Sequence, residues 1–239
     1  MNAAILGAGA MGQVLAQTIE EQQDVSLAGI VEPRNGERIH DIEDQIDVVI
    51  DFSNPDNLEM LMDYCIARSC PAVIATTGFS LEQQQMITDM AQQVPVVFAA
   101  NFSLGITVMK RVLEEITPIL EDSFDIEVIE KHHNRKLDSP SGTAKMLVNA
   151  LNAQGKYEEV HGREGNHKRG QEIGIHAIRG GTIAGEHDVI FAGDDEILEI
   201  KHTAGSKKIF AAGAVKAAVF TQTAGPGLYN MEDVLFGDK

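Results

Sequence analysis

A histidine and a lysine four positions apart, His132 and Lys136, stand in the run Glu130-Lys131-His132-His133-Asn134-Arg135-Lys136. Such a pair can pass a proton to a reacting group or stabilise negative charge as it develops. Five of the six residues from Lys131 to Lys136 are Lys, Arg or His, in a chain whose formal net charge is -17. The run leads directly into Ser139-Pro140-Ser141-Gly142-Thr143, which reads as the start of a helix. Cations beside a helix N-terminus make an anion site. Local positive charge in an acidic chain is most simply explained by a small acidic substrate. A metal is not expected here, because adjacent histidines diverge in an extended chain and no third ligand is near in sequence. Ser141 stands in no G-x-S-x-G elbow, so a hydrolytic triad is not expected either.

A second chemistry-bearing pattern lies far upstream. Gly7-Ala8-Gly9-Ala10-Met11-Gly12 fits G-x-G-x-x-G between an apolar strand and an apolar-periodic helix. Glycines serve there for a tight turn, for close backbone approach to a pyrophosphate and for helix–strand packing. Glu32 follows about 20 residues later, where an acidic side chain can accept from ribose hydroxyls and so favour NAD(H). Arg34 could take a 2′-phosphate and admit NADP(H), so both cofactors stay open. Three further loops are expected at strand ends, where ligands bind in open α/β sheets. They are Asp51-Phe52-Ser53, Ala75-Thr76-Thr77-Gly78 and Ala99-Ala100-Asn101-Phe102-Ser103. Their small and hydroxylated residues suit a nicotinamide ribose.

The elements that must position these residues follow from periodicity. Strands are expected over 3–6, 25–31, 47–52, 72–75 and 94–99, with helices over 11–21, 57–68 and 81–92 between them. Strands alternating with helices imply a parallel, doubly wound sheet. The pattern then changes. A helix is expected over 106–120, with Pro118 disturbing its last turn. A strand over 125–130 precedes the basic run, and a helix over 141–153 follows it. Residues 154–171 read as a loop, and strands are expected over 172–179, 187–192 and 197–203. The second part is therefore α+β with a mixed or antiparallel sheet, and an exposed sheet edge or face there would suit subunit association. The helix over 209–222 is so apolar that it must return to the first part. It stops before Gly225-Pro226-Gly227.

Composition narrows the function classes. The chain has 239 residues, 44% of them apolar, which supports one large or two modest domains. Its acidity argues against nucleic acid or an anionic membrane surface as partner. No apolar run approaches the roughly 18 residues of a membrane span. The N-terminus has no basic region of the signal-peptide kind. The two cysteines, Cys65 and Cys70, lack a C-x-x-C spacing and read as reduced thiols of a cytoplasmic protein.

The segment Glu130-Lys131-His132-His133-x-x-Lys136-x-Asp138-x-Pro140-Ser141-Gly142-Thr143-Ala144 closely resembles the signature of the dihydrodipicolinate (4-hydroxy-tetrahydrodipicolinate) reductase family. The resemblance extends along the chain through the glycine motif, the three loops above, Ile178-Arg179-Gly180-Gly181 and Gly185-Glu186-His187. It implies an NADH- or NADPH-dependent oxidoreductase of lysine and diaminopimelate biosynthesis, homotetrameric and cytoplasmic. It also implies a Rossmann-like dinucleotide-binding domain over 1–102 and 207–239, and a substrate-binding and oligomerisation domain over 103–206. By resemblance, His132 is the proton donor or acceptor and Lys136 the proton donor, while His133 with Gly142 and Thr143 binds the substrate carboxylates. Closure on hinges near Phe102-Ser103 and Gly205-Ser206 is expected. The glycine loop is one residue shorter than in many members, often by an Arg, so it should lie closer to the pyrophosphate. Two other readings remain at this point: another two-domain nicotinamide-dependent amino-acid dehydrogenase, and a non-catalytic dinucleotide sensor.

Overall fold

The computed structural model describes residues 1–237. Its backbone divides into two compact units: Met1–Leu104 with the chain from Lys207, and Gly105–Ser206.

The first unit is a doubly wound sheet. Five strands, β1 (Asn2–Leu6), β2 (Ser26–Val31), β3 (Val48–Asp51), β4 (Ala72–Ile74) and β5 (Pro95–Phe98), alternate with α1 (Ala10–Glu20), α2 (Leu58–Arg68) and α3 (Leu81–Ala91). All pair in parallel, and β1 lies between β2 and β3. Alternate strand residues feed two apolar layers. Leu6, Val49, Ile74 and Val96 meet Leu61, Cys65, Ile87 and Met90 on one face. Ala3, Ile5, Ile50 and Val97 meet Leu15, Ile19, Ala214 and Ala218 on the other. The alanines belong to a helix over Lys208–Thr221, whose small side chains allow a close approach to the sheet; a Cβ at Gly213 would lie 1.7 Å from the Phe102 carbonyl oxygen. Cys65 and Cys70 are buried free thiols in the first of these layers.

The second unit packs helices on one face of a five-stranded mixed sheet. In chain order it holds α4 (Leu104–Leu120), β6 (Asp125–His132), α5 (Gly142–Leu151), β7 (Glu158–His161), β8 (Glu172–Arg179), β9 (Glu186–Ala192) and β10 (Ile197–Thr203). The sheet order is β10-β9-β6-β8-β7, with β6 antiparallel to β9 and parallel to β8. Ile106, Met109 and Leu113 of α4 and Leu147, Val148 and Leu151 of α5 cover Ile126, Val128, Ile175, Val189 and Phe191.

Two expectations are corrected. Residues 154–171 are not all loop: Glu158–His161 forms β7, held by parallel pairing with β8 that a four-residue polar strand does not announce. The strand expected to stop at residue 130 runs on to His132, so Lys131 and His132 lie in the sheet. Pro118 lies inside α4, which ends at Leu120 as expected. Beyond the apolar helix over Lys208–Thr221 (α6), the chain adds β11 (Gly227–Tyr229), parallel to β5, and α7 (Met231–Phe236).

Candidate active site

In the first unit, the parallel strands deliver every candidate cofactor residue to one end of the sheet. Residues 7–12 follow β1, Glu32 follows β2, Ala75, Thr76 and Thr77 follow β4, and Ala99, Ala100, Asn101 and Phe102 follow β5. The chain crosses over β1 between β2 and β3, so the strand order reverses there and a crevice forms at the carboxyl ends. The glycines have separate jobs. Gly7 has φ +105°, and a Cβ on it would lie 2.5 Å from the Phe52 carbonyl oxygen. A Cβ on Gly12 would lie 1.9 Å from the Gly7 carbonyl oxygen, so that glycine lets α1 start against the turn. A Cβ on Gly9 would meet nothing within 4 Å, and Gly9 caps α1, so its open side is where a phosphate can reach the helix N-terminus. These residues fit a dinucleotide. Glu32 reaches back to this turn: its carboxylate accepts from Ala8 N at 3.2 Å and from Arg34 N at 3.2 Å. The Arg34 side chain is exposed.

In the second unit, the site is organised by Glu130, which is fully buried. Its carboxylate accepts from Arg179 Nη1 at 2.8 Å and Nη2 at 2.7 Å, and from Ser141 N at 3.0 Å. His132 Nδ1 lies 2.6 Å from the same carboxylate. Burial alone would raise the Glu130 pKa, but Arg179, His132 and the Ser141 N–H outweigh it and hold the carboxyl below its ordinary value. Parallel register places Arg179 opposite His132 across β6 and β8, which brings the guanidinium to the buried carboxylate. An ionised Glu130 can only accept, so Nδ1 of His132 carries the proton. Nε2 is then left facing Gly185, where an added Cβ would stand 3.2 Å from it. Ser141 caps α5 by accepting from Ala144 N at 3.1 Å, and its Oγ lies 3.1 Å from His187 Nε2. The rings of His187 and His132 meet edge to face with centroids 5.3 Å apart. Burial, then the neighbouring His132, push the His187 pKa down to about 4.

Beyond β6, His133 begins a turn closed by Lys136 N donating to its carbonyl oxygen at 3.1 Å. Lys136 Nζ lies 2.9 Å from Asp138 Oδ1, and this lysine first, then the Gly142 N–H among smaller contributions, keeps Asp138 below the usual carboxylate range. A carboxylate of the chain itself is thus held by the lysine and the start of α5. The first-turn amides at Gly142 and Thr143 provide the positive end of the helix, and a Cβ on Gly142 would meet nothing within 4 Å. The basic island is divided, however. Strand alternation turns Lys131 to the opposite face, where it pairs with Glu186 at 3.0 Å, and Arg135 is exposed. An open cavity of about 790 Å³ beside α5, lined by Ser139, Lys145, Asn149, His161 and His176, does not include His132, His133 or Lys136. Among the described residues, no group of three or more His, Cys, Asp or Glu could hold a metal ion.

Sequence reasoning assigned no role to Glu130, Arg179, Ser141, Gly185 or His187. The signal for the first two was a buried-type Glu–x–His pattern and an arginine ending a strand, but their meeting depends on register across 49 positions.

The model of the N-terminal part of dihydrodipicolinate reductase matches residues 1–102, and that of its C-terminal part matches residues 105–235. The chain belongs to the dihydrodipicolinate reductase family. Among curated relatives, the 4-hydroxy-tetrahydrodipicolinate reductase of Clostridium tetani is 43% identical over 238 residues, covering 95% of this chain and 93% of that one. The Brachyspira hyodysenteriae protein of the same name is also 43% identical, covering 98% of this chain and 100% of its own. In three dimensions the chain matches a dipicolinate-bound dihydrodipicolinate reductase from Paenisporosarcina sp. TG-14, with a TM-score of 0.81, 22% identity and 99% of each chain covered. The reductase family uses NAD(P)H, which makes this chain a nicotinamide-dependent oxidoreductase with a Rossmann-like first unit. The amino-acid dehydrogenase and sensor readings are not favoured.

Proposed function

We propose that this reductase converts 4-hydroxy-tetrahydrodipicolinate to tetrahydrodipicolinate with NADH or NADPH, in lysine and diaminopimelate biosynthesis. The observation that carries the reading within the family is the buried Glu130 that joins Arg179, His132 and the start of α5. The first unit holds the nucleotide: Gly7, Ala8, Gly9, Ala10, Met11 and Gly12 at the pyrophosphate, and Glu32 or Arg34 at the adenosine ribose. Ala75, Thr76, Thr77, Ala99, Ala100, Asn101 and Phe102 line the nicotinamide side. When bound, the cofactor supplies a hydride.

The second unit holds the dicarboxylate. His133 and the amides of Gly142 and Thr143 bind its carboxylates, which compete with Asp138 for Lys136 and the helix start. His132 or Lys136 gives the proton that completes the reduction. Glu130 stabilises a protonated His132 and keeps Nε2 directed past Gly185. Self-association to a homotetramer is supported by the sheet face opposite α4 and α5, where Ile178 and Ile197 are 45% and 70% exposed. The proposed location is the cytoplasm; among the described residues no helix is long and apolar enough to cross a membrane.

The test is an assay coupled to the synthase that generates the substrate, following nicotinamide absorbance. Wild type should consume nucleotide only when substrate is formed. Lys136→Ala should lower kcat by about 10²–10³ while nucleotide affinity stays near wild type. A Lys136→Ala enzyme with near wild-type kcat would remove Lys136 from the mechanism.

A further inference from the structure

The proposed reaction leaves the buried carboxylate of Asp51 unused. Asp51 ends β3 and is only 2% exposed. Its Oδ1 accepts from Ser53 N at 3.0 Å and from Ser53 Oγ at 2.5 Å. Ser53 N also donates to Thr76 Oγ1 at 2.8 Å, and the Thr76 hydroxyl in turn bonds the Asp51 carboxylate. Asn57 Nδ2 donates to Ser53 Oγ at 3.1 Å. The carboxylate therefore links the loop after β3 to the loop after β4.

The backbone it fixes is the wall of the glycine turn. The Phe52 carbonyl oxygen and the Ser53 Cα stand 2.5 Å and 3.1 Å from where a Gly7 Cβ would be. Phe52 N is already tied to the Leu6 carbonyl at 2.9 Å, so Ser53 is the first residue after β3 whose position depends on Asp51. Burial drives the Asp51 pKa up to about 6 against the pull of these donors. The ionised group is thus a stability cost, and a carboxylate kept at such a cost calls for a function.

We propose that Asp51 is a positioning residue of the nucleotide crevice, holding the 52–53 and 76–77 loops in the geometry that binds the cofactor. The inference rests on the reading of the first unit as the nucleotide site. Asp51 lies beneath the crevice and acts through Ser53 and Thr76. It governs affinity rather than turnover.

The chain has no tryptophan, so binding can be followed by NADH emission in titrations of wild type, Asp51→Ala, Asp51→Asn and Ser53→Ala. Asp51→Ala should weaken NADH binding about tenfold or more, equivalent to about 1.4 kcal/mol. Its nucleotide KM should rise in step, while kcat at saturation stays within about threefold. Asp51→Asn, whose carbonyl oxygen still accepts from Ser53, should restore affinity to within about threefold of wild type. Without ligand, amide exchange at Ser53 should accelerate in Asp51→Ala and not in Asp51→Asn. Wild-type affinity in a folded Asp51→Ala would overturn the inference, as would an Asn variant as weak as the Ala variant. Should Asp51→Ala fail to fold, Ser53→Ala decides: weakening of about threefold or more supports the tie, and unchanged affinity overturns it. A wild-type chain that binds neither NADH nor NADPH would remove the nucleotide reading and this inference together; normal wild-type binding with unaffected variants removes the inference alone.

Discussion

Replacing Glu130 by glutamine keeps the volume of the side chain and removes its charge. The carboxylate receives four contacts, and three come from donors that cannot reverse: two guanidinium N–H groups of Arg179 and the Ser141 amide. The fourth, His132 Nδ1 at 2.6 Å, can reverse by changing tautomer. The side-chain amide nitrogen introduced by Glu130→Gln must therefore occupy the side shared by His132 and Arg179 Nη1. That choice breaks the Nη1 bond and makes Nδ1 the acceptor. The proton moves to Nε2, and a protonated His132 loses its anionic partner. Hydrogen bonds to charged groups contribute about 1.5–3 kcal/mol each, and breaking a buried ion pair costs about 3–5 kcal/mol. Arg179 retains 19% exposure, one bond to the side chain at position 130 and its bonds to the Ile178 and Asp138 carbonyl oxygens, so a loss of about 2–4 kcal/mol in stability is expected. Turnover should fall by about 10²–10⁴, the range for a misdirected general acid or base. Urea unfolding reads the first quantity and the coupled assay the second. Imidazole ¹⁵N shifts should place the neutral proton of His132 on Nδ1 in wild type and on Nε2 in Glu130→Gln. A variant with kcat within about threefold of wild type and an unaltered tautomer would refute the reasoning.

Two further predictions concern pH. His187 is neutral in the fold and titrates at about 4 rather than 6.5, facing His132, Glu130, His202 and Lys136. A depressed pKa contributes stability that is present above the unfolded value of 6.5 and is lost as pH falls through 4, by about 3 kcal/mol at most. His187→Gln should flatten that acid limb in urea unfolding at pH 7 and pH 5; an equally steep limb would contradict the assignment. Asp51 has the opposite sign. Its pKa is raised from 3.8 to about 6, so its contribution is present below 3.8 and lost as pH rises through 6. Asp51→Asn should therefore reduce the stability lost between pH 4 and pH 8 by about 3 kcal/mol, and an unchanged difference would exclude a buried ionised Asp51.

The first unit was largely legible because each of its elements carries a local signal. The glycine motif sits between a strand and a helix, and the apolar strands are uninterrupted because both faces are covered. β11 was missed because a three-residue strand acquires its identity from pairing with β5 alone. In the second unit, His132 and Lys136 could be picked out by type and spacing, while the roles of His133, Gly142 and Thr143 rested on the family resemblance. The arrangement of these residues was not legible. Whether the basic run was loop or strand decides which side chains share a face, and the sheet placed Lys131 opposite His132. Glu130 and Arg179 meet only through the parallel register of β6 and β8. Asp51 was legible only as part of a loop suited to a ligand, because the convergence of the Ser53 and Thr76 donors on its carboxylate depends on the packing of two loops.

The most direct test of the proposed reaction is reduction with nucleotide carrying deuterium at the reactive nicotinamide carbon, in the presence of synthase-generated substrate, with mass analysis of the product. Nucleotide oxidation and tetrahydrodipicolinate formation should proceed together, and the label should appear in the product. Nucleotide oxidation without label in the product, or binding without oxidation, would contradict hydride transfer to this substrate.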